Sequence, residues 1–490
     1  MLTNILSLLF QITFFVNIIF AAIIVFLERK NPAVTWAWLM VVLIFPYIGF
    51  IVYLILGMEP KKHKTFFEKS KEDEIILKNY TLLDINKDTL IKKQRSLMNK
   101  KNIMDITGTA HLNDLVYLNL MSGNALYTCN NSIDIFHEGN SKFEAMLKDI
   151  KNAKSFIHLQ YYIVRNSDIS KRLIDALSEK AREGVEVKLL IDGMGSLATP
   201  KKLYEPLIEA GGKLGIFLPP YFVRINYRNH RKICVIDGLY GYVGGLNIGD
   251  EYLGKSKRFG NWRDCHIRIE GDGVHSLETR FIMDWNYYAP HAKVEVKSMY
   301  FPSVKRPKGV SMQVVSSGPD TKWPAIHDSF IKMISEANKS IYIQTPYFVP
   351  DDTILESLRI AALSGIDIRI MIPAHPDHPF VYWAALSYLG ELLDAGVKCY
   401  QYENGFVHSK LVMIDSLIAS VGTANLDIRS FKLNFEITAF IYDSDKTKAF
   451  EKQFLEDMNH CTQIDFEYYK NRSTMTKIKE AVSRLLSPLL

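Results

Sequence analysis

Two long apolar stretches come first in the hydropathy pattern, and a more polar pattern follows them. Neither residues 5–27 nor residues 34–56 contain a charged side chain, and each stretch is 23 residues long. About 20 apolar residues are enough to cross the roughly 30 Å hydrocarbon core of a bilayer. The pattern therefore predicts a hairpin of two transmembrane helices within residues 1–60. Pro46 lies inside the second stretch, a position that membrane helices tolerate.

The charges around the two stretches favour a membrane hairpin over a cleaved signal peptide. No Lys or Arg precedes the first stretch, whereas residues 28–30 are Glu-Arg-Lys; a signal peptide carries its positive charge ahead of its apolar run. A buried helical hairpin does not require charge-free runs of this length. Lys61, Lys62, Lys64 and Lys69 follow the second stretch, so the positive-inside rule predicts a cytoplasmic body. We therefore expect a multi-pass protein of the cell membrane.

Beyond a charged connector at residues 61–120, in which we find no chemistry, a pattern of strands and helices occurs twice. Each copy has an amphipathic helix, a strand, a second helix and a second strand, which predicts parallel strand pairing with covering helices. The predicted helices are 143–153, 170–182, 329–337 and 353–363, and the predicted second strands are 185–191 and 366–372. The matching order indicates duplication. We expect an α/β body of two similar lobes, 121–303 and 304–490, packed as a pseudo-dimer and joined near residues 302–307.

Composition adds little to this picture. Of the 490 residues 48% are hydrophobic, which is enough to bury a large core. The formal net charge of +6 suits an anionic partner, either a lipid surface or a nucleic acid. The five cysteines are odd in number and have no C-x-x-C spacing, which argues against a disulfide framework and a cysteine metal site. We expect thiols in a reducing compartment.

Each lobe carries one copy of a His-x-Lys-x4-Asp motif. The two copies are His230/Lys232/Asp237 and His408/Lys410/Asp415. In each copy an Asn follows the His by 17 residues, at Asn247 and Asn425. Residues i and i+2 of an extended segment point to the same face, so the His and Lys of one copy can reach a site together. Two matches with the same downstream spacing, inside a wider repeat, predict one site built from both copies.

The residue types of this site suit phosphoryl transfer. Lys ammoniums and Asn amides can donate hydrogen bonds to an anion with several oxygens. One imidazole can attack phosphorus, and the other can protonate the leaving oxygen and then deprotonate an incoming alcohol. Asp237 and Asp415 are predicted to orient the imidazoles; alternatively they are turn residues, since Asp-Gly and Asp-Ser are turn dipeptides. The two lysines neutralise developing charge, so we expect neither a metal nor another cofactor.

The motifs resemble the phospholipase D superfamily, whose signature is this duplicated motif. A closer similarity to bacterial cardiolipin synthases lies in residues 31–38, 45–49, 227–233, 241–253, 344–350 and 405–410. The resemblance implies two phospholipase D-like lobes and a phosphatidyl transfer that joins two phosphatidylglycerol molecules and releases glycerol. It also implies a phosphohistidine intermediate on His230, with His408 as the acid and base.

The resemblance implies further site residues. Asp264 and Glu436 match the downstream acidic residue that the superfamily has in each half. Thr423 keeps a Ser/Thr position of the superfamily pattern, whereas Gly245 departs from it. One half is therefore expected to lack a hydroxyl donor.

Two other classes of function fit parts of the pattern. A phospholipase D-type hydrolase would use the same residues with water in place of the alcohol, and a membrane scaffold would need no intact motif. The predicted anchor favours a lipid over a nucleic acid, so the expected partners are phosphatidylglycerol and anionic membrane lipids. Residues 475–490 form an amphipathic segment that either lies at the bilayer interface or packs against the body.

Overall fold

The computed structural model describes residues 2–27, 32–53, 64–82, 94, 96, 112–217, 226–303 and 309–487. The end of the second apolar stretch (54–56), half of the predicted connector (61–120) and most of the predicted junction (302–307) lie outside these residues. The chain divides into two units. One comprises Met1–Glu68 and Tyr221–Asn226, and the other, called the body below, comprises Lys69–Pro220 and Tyr227–Leu490.

The first unit contains the helices α1 (Leu2–Leu27), α2 (Pro32–Ile44) and α3 (Pro46–Val52). The second predicted helix is divided at Phe45, whose φ of −124° and ψ of 76° are not helical. Pro46 is the cause, because its ring disfavours a helical conformation of the residue before it. Within the described ranges, no helix combines the length and the apolar character that crossing a membrane requires.

The remaining helices and strands follow the predicted order. The helices are α4 (Lys64–Leu82), α5 (Leu112–Gly123), α6 (Gly139–Lys151), α7 (Asp168–Arg182), α8 (Glu205–Glu209), α9 (Gly273–Tyr288), α10 (Ala325–Glu336), α11 (Asp352–Leu363), α12 (Pro379–Asp394), α13 (Ile428–Lys432), α14 (Ser444–Met458), α15 (Phe466–Lys470) and α16 (Thr474–Leu485). The strands are β1 (Thr128–Phe136), β2 (Phe156–Tyr161), β3 (Glu186–Asp192), β4 (Lys213–Phe217), β5 (Arg228–Asn229), β6 (Ile233–Ile236), β7 (Tyr240–Gly244), β8 (Trp262–Arg263), β9 (His266–Glu270), β10 (Val310–Ser317), β11 (Ser340–Gln344), β12 (Phe348–Val349), β13 (Asp367–Pro373), β14 (Lys398–Tyr402), β15 (Phe406–Val407), β16 (Leu411–Ile414), β17 (Ile418–Gly422), β18 (Leu426–Asp427), β19 (Asn434–Tyr442) and β20 (Cys461–Ile464). The ends of the predicted elements differ from the observed ones by at most four residues.

One large sheet runs through both halves of the body, and its strand order is mirrored about the centre. From the centre outwards, the first half has β1-β9-β7-β6-β2-β3-β4 and the second has β10-β19-β17-β16-β11-β13-β14, with β20 at the outer edge. The central strands β1 and β10 pair antiparallel and join the halves. This symmetry confirms the predicted duplication of an α/β unit, while the boundary at residues 303 and 304 stays a prediction.

Each half contains the parallel strand pair that its strand–helix–strand order predicts. β2 pairs in parallel with β3, and β11 pairs in parallel with β13. All six residues of β2 are buried, because helices cover both faces of the sheet. Leu173 and Leu177 of α7 pack in the core on one face, and Phe281 of α9 stacks on His158 at 4.5 Å on the other. Strands buried on both faces have the continuous apolar runs seen here.

Two short strand pairs connect the halves near the motifs. β5 pairs in parallel with the start of β19, and β15 pairs in parallel with β8. β5 leads directly into the first motif and β15 into the second. Each motif is therefore held by a strand from the opposite half.

Candidate active site

The two motif histidines are positioned by backbone hydrogen bonds to the opposite half. The His230 amide donates to the Phe435 carbonyl at 3.0 Å, and the His408 amide donates to the Arg263 carbonyl at 2.6 Å. Phe435 immediately precedes Glu436, and Arg263 immediately precedes Asp264. The strand pairing therefore brings each histidine next to a carboxylate of the other half.

Each imidazole contacts one of these carboxylates. His230 Nδ1 lies 3.0 Å from both Oε1 and Oε2 of Glu436, and His408 Nδ1 lies 2.8 Å from Asp264 Oδ2. A carboxylate on Nδ1 fixes the ring and leaves Nε2 for chemistry. The two acidic residues that the resemblance implies thus lie at the site, and each contacts the histidine of the opposite half.

The two motif lysines also belong to one site. Lys232 Nζ donates to the His230 carbonyl at 2.8 Å, and Lys410 Nζ donates to the His408 carbonyl at 2.5 Å. Burial is the main reason that the pKa of each histidine is low, and the lysine of the opposite motif lowers it further in both cases. Each ammonium therefore acts on the histidine of the other half, as expected if both motifs converge.

Burial sets the protonation of these four side chains. It lowers the pKa of His230 and that of His408 to about 4, so both imidazoles are neutral at pH 7 despite their carboxylate partners. Burial also lowers the pKa of Lys232 to about 7, with repulsion from Lys410 as the next cause, and the pKa of Lys410 to about 8. A phosphoryl anion next to the lysines would offset this burial and favour their charged forms.

Neighbouring donors hold Glu436 as a carboxylate. Thr423 Oγ1 donates to its Oε2 at 2.5 Å, and Asn434 Nδ2 donates to its Oε1 at 3.1 Å. Burial alone would raise the pKa of Glu436, but His230 and Lys232 outweigh burial and keep that pKa below its ordinary value. The charged form is thus ready to stabilise a positive imidazolium.

Asp264 is held without a hydroxyl donor, as the sequence predicts for this half. Its Oδ1 accepts from the Cys265 amide at 2.7 Å, and its Oδ2 accepts from Trp262 Nε1 at 3.4 Å. A Cβ atom at Gly245 would lie 2.0 Å from Asp264 Oδ1. The departure from a Ser/Thr residue therefore has a steric cause, because the carboxylate occupies the space that any side chain would need.

Asp237 and Asp415 lie outside this site, which corrects the orienting role predicted for them. Asp237 accepts the backbone amides of residues 154–156 at 2.7–3.0 Å, and Asp415 accepts those of residues 338–340 at 2.7–2.8 Å. Each starts a tight turn with a positive φ of 53° or 55°, which Asp adopts more readily than most residues. Asp237 follows Lys232 by five residues of extended chain, about 16 Å. Both are turn residues, the alternative that the sequence left open.

Asn247 and Asn425 are buried, and their side chains brace neighbouring segments. Asn247 Oδ1 accepts from the Ile163 amide at 3.2 Å, and its Nδ2 donates to the Tyr252 hydroxyl at 3.3 Å. Asn425 Nδ2 donates to Asp427 Oδ2 at 3.0 Å. Phosphate binding by these amides stays a prediction. Among the residues described, no group of three or more His, Cys, Asp or Glu side chains is arranged to hold a metal ion.

Two family models match the chain. The one described as "Cardiolipin synthase, PLD-like domain" matches residues 146–285 and 330–458, one segment in each half and together more than half of the chain. The chain belongs to the cardiolipin synthase family of PLD-like proteins. The resemblance seen in the motifs is thereby confirmed. A second model, "Phospholipase_D-nuclease N-terminal", matches residues 15–57.

Members of the cardiolipin synthase family match the chain over its length. The "Major cardiolipin synthase ClsA" of Bacillus subtilis is 47% identical over 490 residues, with 99% of each chain covered. The "Cardiolipin synthase" of Listeria monocytogenes is 46% identical over 491 residues, covering 99% of this chain and 100% of the relative. A solved phosphatidylserine synthase from Haemophilus influenzae has a TM-score of 0.59 and 17% identity, covering 76% of this chain and 96% of its own, a likeness of fold.

Several contacts at the site of this cardiolipin synthase family member were not predicted. Tyr162 packs edge-on against His230 with ring centroids 5.1 Å apart, and Trp262 lies at the same distance from His408. Trp262 and Asn434 each stand two residues before a site carboxylate, so the strand alternation that links His to Lys could have identified them. The exchange of carboxylates between the halves has no sequence signal, because it depends on how the halves pack.

Proposed function

We propose that the protein is a phosphatidyltransferase that converts two phosphatidylglycerol molecules into cardiolipin and glycerol. The observation that carries the proposal is a single site with two histidines, one from each half, each bound to a carboxylate. Two imidazoles in similar surroundings suit a reaction that needs one nucleophile and one acid–base group. Membership of the cardiolipin synthase family supports the choice of substrate.

In the first proposed step, His230 Nε2 attacks the phosphorus of one phosphatidylglycerol. A P–N bond forms, the P–O bond to the head-group glycerol breaks, and the glycerol oxygen takes a proton from His408. Glu436 stabilises the positive charge that develops on the His230 ring. The bound phosphodiester is an anion, so it favours the protonated His408 that this step requires.

In the second proposed step, the primary hydroxyl of another phosphatidylglycerol attacks the same phosphorus. His408, now neutral, takes the proton of that hydroxyl, and the P–N bond to His230 breaks. Asp264 stabilises the resulting His408 imidazolium, which restores the starting state. Lys232 and Lys410 neutralise the phosphoryl oxygens in both steps, since charge stabilisation in a buried site is strong. Water in place of the second lipid would give phosphatidic acid.

Product analysis tests the reaction. Purified protein given vesicles of labelled phosphatidylglycerol should form cardiolipin and glycerol in equal amounts. Phosphatidic acid as the main product would instead support the phospholipase D-type hydrolase. No conversion of phosphatidylglycerol at all would contradict both the transferase and the hydrolase.

Trapping tests the roles of the two histidines. In the His408→Ala variant, a labelled phosphatidyl ester with a p-nitrophenyl leaving group, which departs without a proton from His408, should leave its phosphatidyl group on His230, because the second step lacks its base. In the His230→Ala variant, no adduct should form. An adduct on His408 in the second variant would reverse the assignment.

We further propose that the first unit anchors the protein in the cell membrane, with the body in the cytoplasm. The charge-free stretches support this, as do the exposed side chains of Phe15, Ile19 and Trp36, since large exposed apolar surfaces mark interaction sites. Alkaline carbonate should leave the protein in the membrane fraction, and protease added to sealed, inside-out vesicles should digest the body. Release by carbonate would contradict the anchor.

A further inference from the structure

The C-terminal helix α16 is docked onto the body by its polar face. It lies along α12, and its buried residues are Glu480 and Ser483. Arg472 Nε donates to Glu480 Oε2 at 2.7 Å, and Arg484 forms an ion pair with Glu391 of α12. A surface helix of a globular protein ordinarily does the reverse and buries its apolar stripe.

The apolar side chains of α16 are therefore left on the outside. Met475, Ile478, Val482 and Leu485 are spaced by three, four and three residues, which aligns them on one side of a helix. Their exposed fractions are 61%, 52%, 47% and 81%. We call this set the apolar stripe. A contiguous set of this kind marks an interaction surface, whereas single exposed apolar residues are ordinary.

Positive charge surrounds the apolar stripe. Residues 466–487 contain five Lys and Arg but two Glu, so half of the chain's formal charge of +6 falls in this short segment. Lys477 and Lys479 are exposed beside the stripe, and the Lys479 ammonium also lies 5.0 Å from the centre of the Trp383 ring of α12. Glu480, in contrast, is buried against the body. The outward surface of the segment is thus apolar along its middle and cationic at its sides.

We propose that the apolar stripe docks on an anionic lipid bilayer, with its side chains at the acyl boundary and its lysines at the lipid phosphates. Helices that lie in a membrane interface combine these features, and anionic lipids attract their basic residues. A second protein molecule fits less well, because a stable interface uses roughly 20–30 residues a side and the stripe has four. The inference rests on the proposed function in one respect: a lipid substrate requires the body to meet the bilayer.

The sequence left two alternatives for this segment, packing against the body or lying at the bilayer. Both alternatives can hold for the same helix, because its two faces make different contacts. The polar face packs on α12, and the apolar face is the one proposed to contact lipid. A single helix can do both because its contacts with α12 are made by charged side chains: Arg484 pairs with Glu391 and lies over Tyr388, and Lys479 lies over Trp383.

The test uses the full-length protein in vesicles with an environment-sensitive fluorophore on one introduced cysteine. Val482→Cys places the label on the apolar stripe, and Ile478→Cys is an independent second position. The half-buried Cys129 and Cys461 are replaced by Ser in every variant, so that the label reacts at the chosen site.

Lys452→Cys on α14 is the matched control, because Lys452 is exposed on the other side of the sheet. Tyr342 of β11 stacks on Phe454 of α14, whereas its strand neighbours Ile341 and Ile343 point into the core beneath α12. Successive residues of a strand point to opposite faces. α14 and the α12–α16 pair therefore cover opposite faces.

In phosphatidylglycerol-containing vesicles, the label at 482 or 478 should shift to the blue and be quenched several-fold more by brominated lipids than the label at 452. Quenching should weaken in vesicles of phosphatidylcholine alone. Equal quenching at the stripe and at 452 would overturn the proposal, and so would equal quenching in both lipid compositions. A blue shift without lipid quenching would assign the stripe to a protein partner instead. These readouts need no turnover, so a failure of the proposed reaction leaves them unaffected.

Discussion

Replacing Lys69 by Met should destabilise the body, because this lysine completes a buried and charge-balanced network. The network pairs three cations with three carboxylates: Lys69, Arg231, Arg280, Asp73, Asp284 and Asp320. The Lys69 side chain is 0% exposed, and its Nζ lies 2.7–2.9 Å from all three carboxylates. Arg231 stands between the His and Lys of the first motif and binds Asp284 at 2.6 Å. Arg231 thus joins the network to the first motif.

The expected loss of stability follows from the charge balance of the network. Burial alone would lower the pKa of Lys69, but the three carboxylates outweigh burial and raise that pKa, so the ammonium is charged throughout the neutral range. Lys69→Met leaves three buried carboxylates with two cations. Breaking a buried pair costs about 3–5 kcal/mol, a large share of a typical stability of about 5–15 kcal/mol. With an unfolding entropy of about 2.1 cal/mol/K per residue over roughly 400 residues, Tm should fall by about 4–6 °C.

Thermal unfolding of the purified protein in detergent, followed by circular dichroism, measures this change. Lys171→Met is the matched control, since Lys171 forms an exposed pair with Asp168 and should change stability by less than about 0.5 kcal/mol. The double variant Lys69→Met/Asp320→Asn restores the balance and should recover most of the loss. An unchanged Tm in the single variant, or a double variant no more stable than the single one, would refute the reasoning.

Three further predictions concern the site. Glu436→Gln should lower kcat by about 10–100-fold. Asp237→Asn should lower Tm and leave kcat nearly unchanged, because the Asp237 carboxylate accepts hydrogen bonds from backbone amides outside the site. Equal losses of kcat in the two variants would contradict this assignment. Gly245→Ser should displace Asp264 and reduce kcat in the same assay, and a fully active variant would disprove the steric argument. The pH profile of kcat/KM should fall below about 4, where His230 becomes protonated and cannot attack. It should also fall towards alkaline pH, because the first step needs a protonated His408 and because Lys232 and Lys410 lose their protons above about 7–8. An alkaline limb that begins only above pH 9 would exclude this origin.

The secondary structure and the pairing of the two motifs could be predicted because their signals are local. Apolar periodicity places α7 and α11 within two residues of their observed starts, and duplication alone indicates that both motifs build one site. The role of Asp237 could not be settled in the same way. The four apolar residues between Lys232 and Asp237 place this Asp at the far end of a strand, but only the structure shows that its carboxylate accepts the backbone amides of residues 154–156.

Features that depend on packing between distant segments were beyond prediction. The mirrored sheet order is one such feature. The contact of Glu436 with His230, 206 positions away in the sequence, is another. Hydrophobic periodicity carries no information about either. The periodicity of α16 likewise reveals a stripe but not which face meets the body. That choice is set by partners such as Glu391 on a different helix.

The carboxylate exchange ties the chemistry to completion of the chain on the ribosome. Glu436 is synthesised 206 residues after His230, which takes about 10–40 s at roughly 5–20 residues per second. In that interval the first half can form its strands, but its histidine has no orienting partner. A nascent chain therefore has no complete active site that could act on surrounding lipids. Activity arises only when β19, which carries Glu436, has paired with the rest of the sheet.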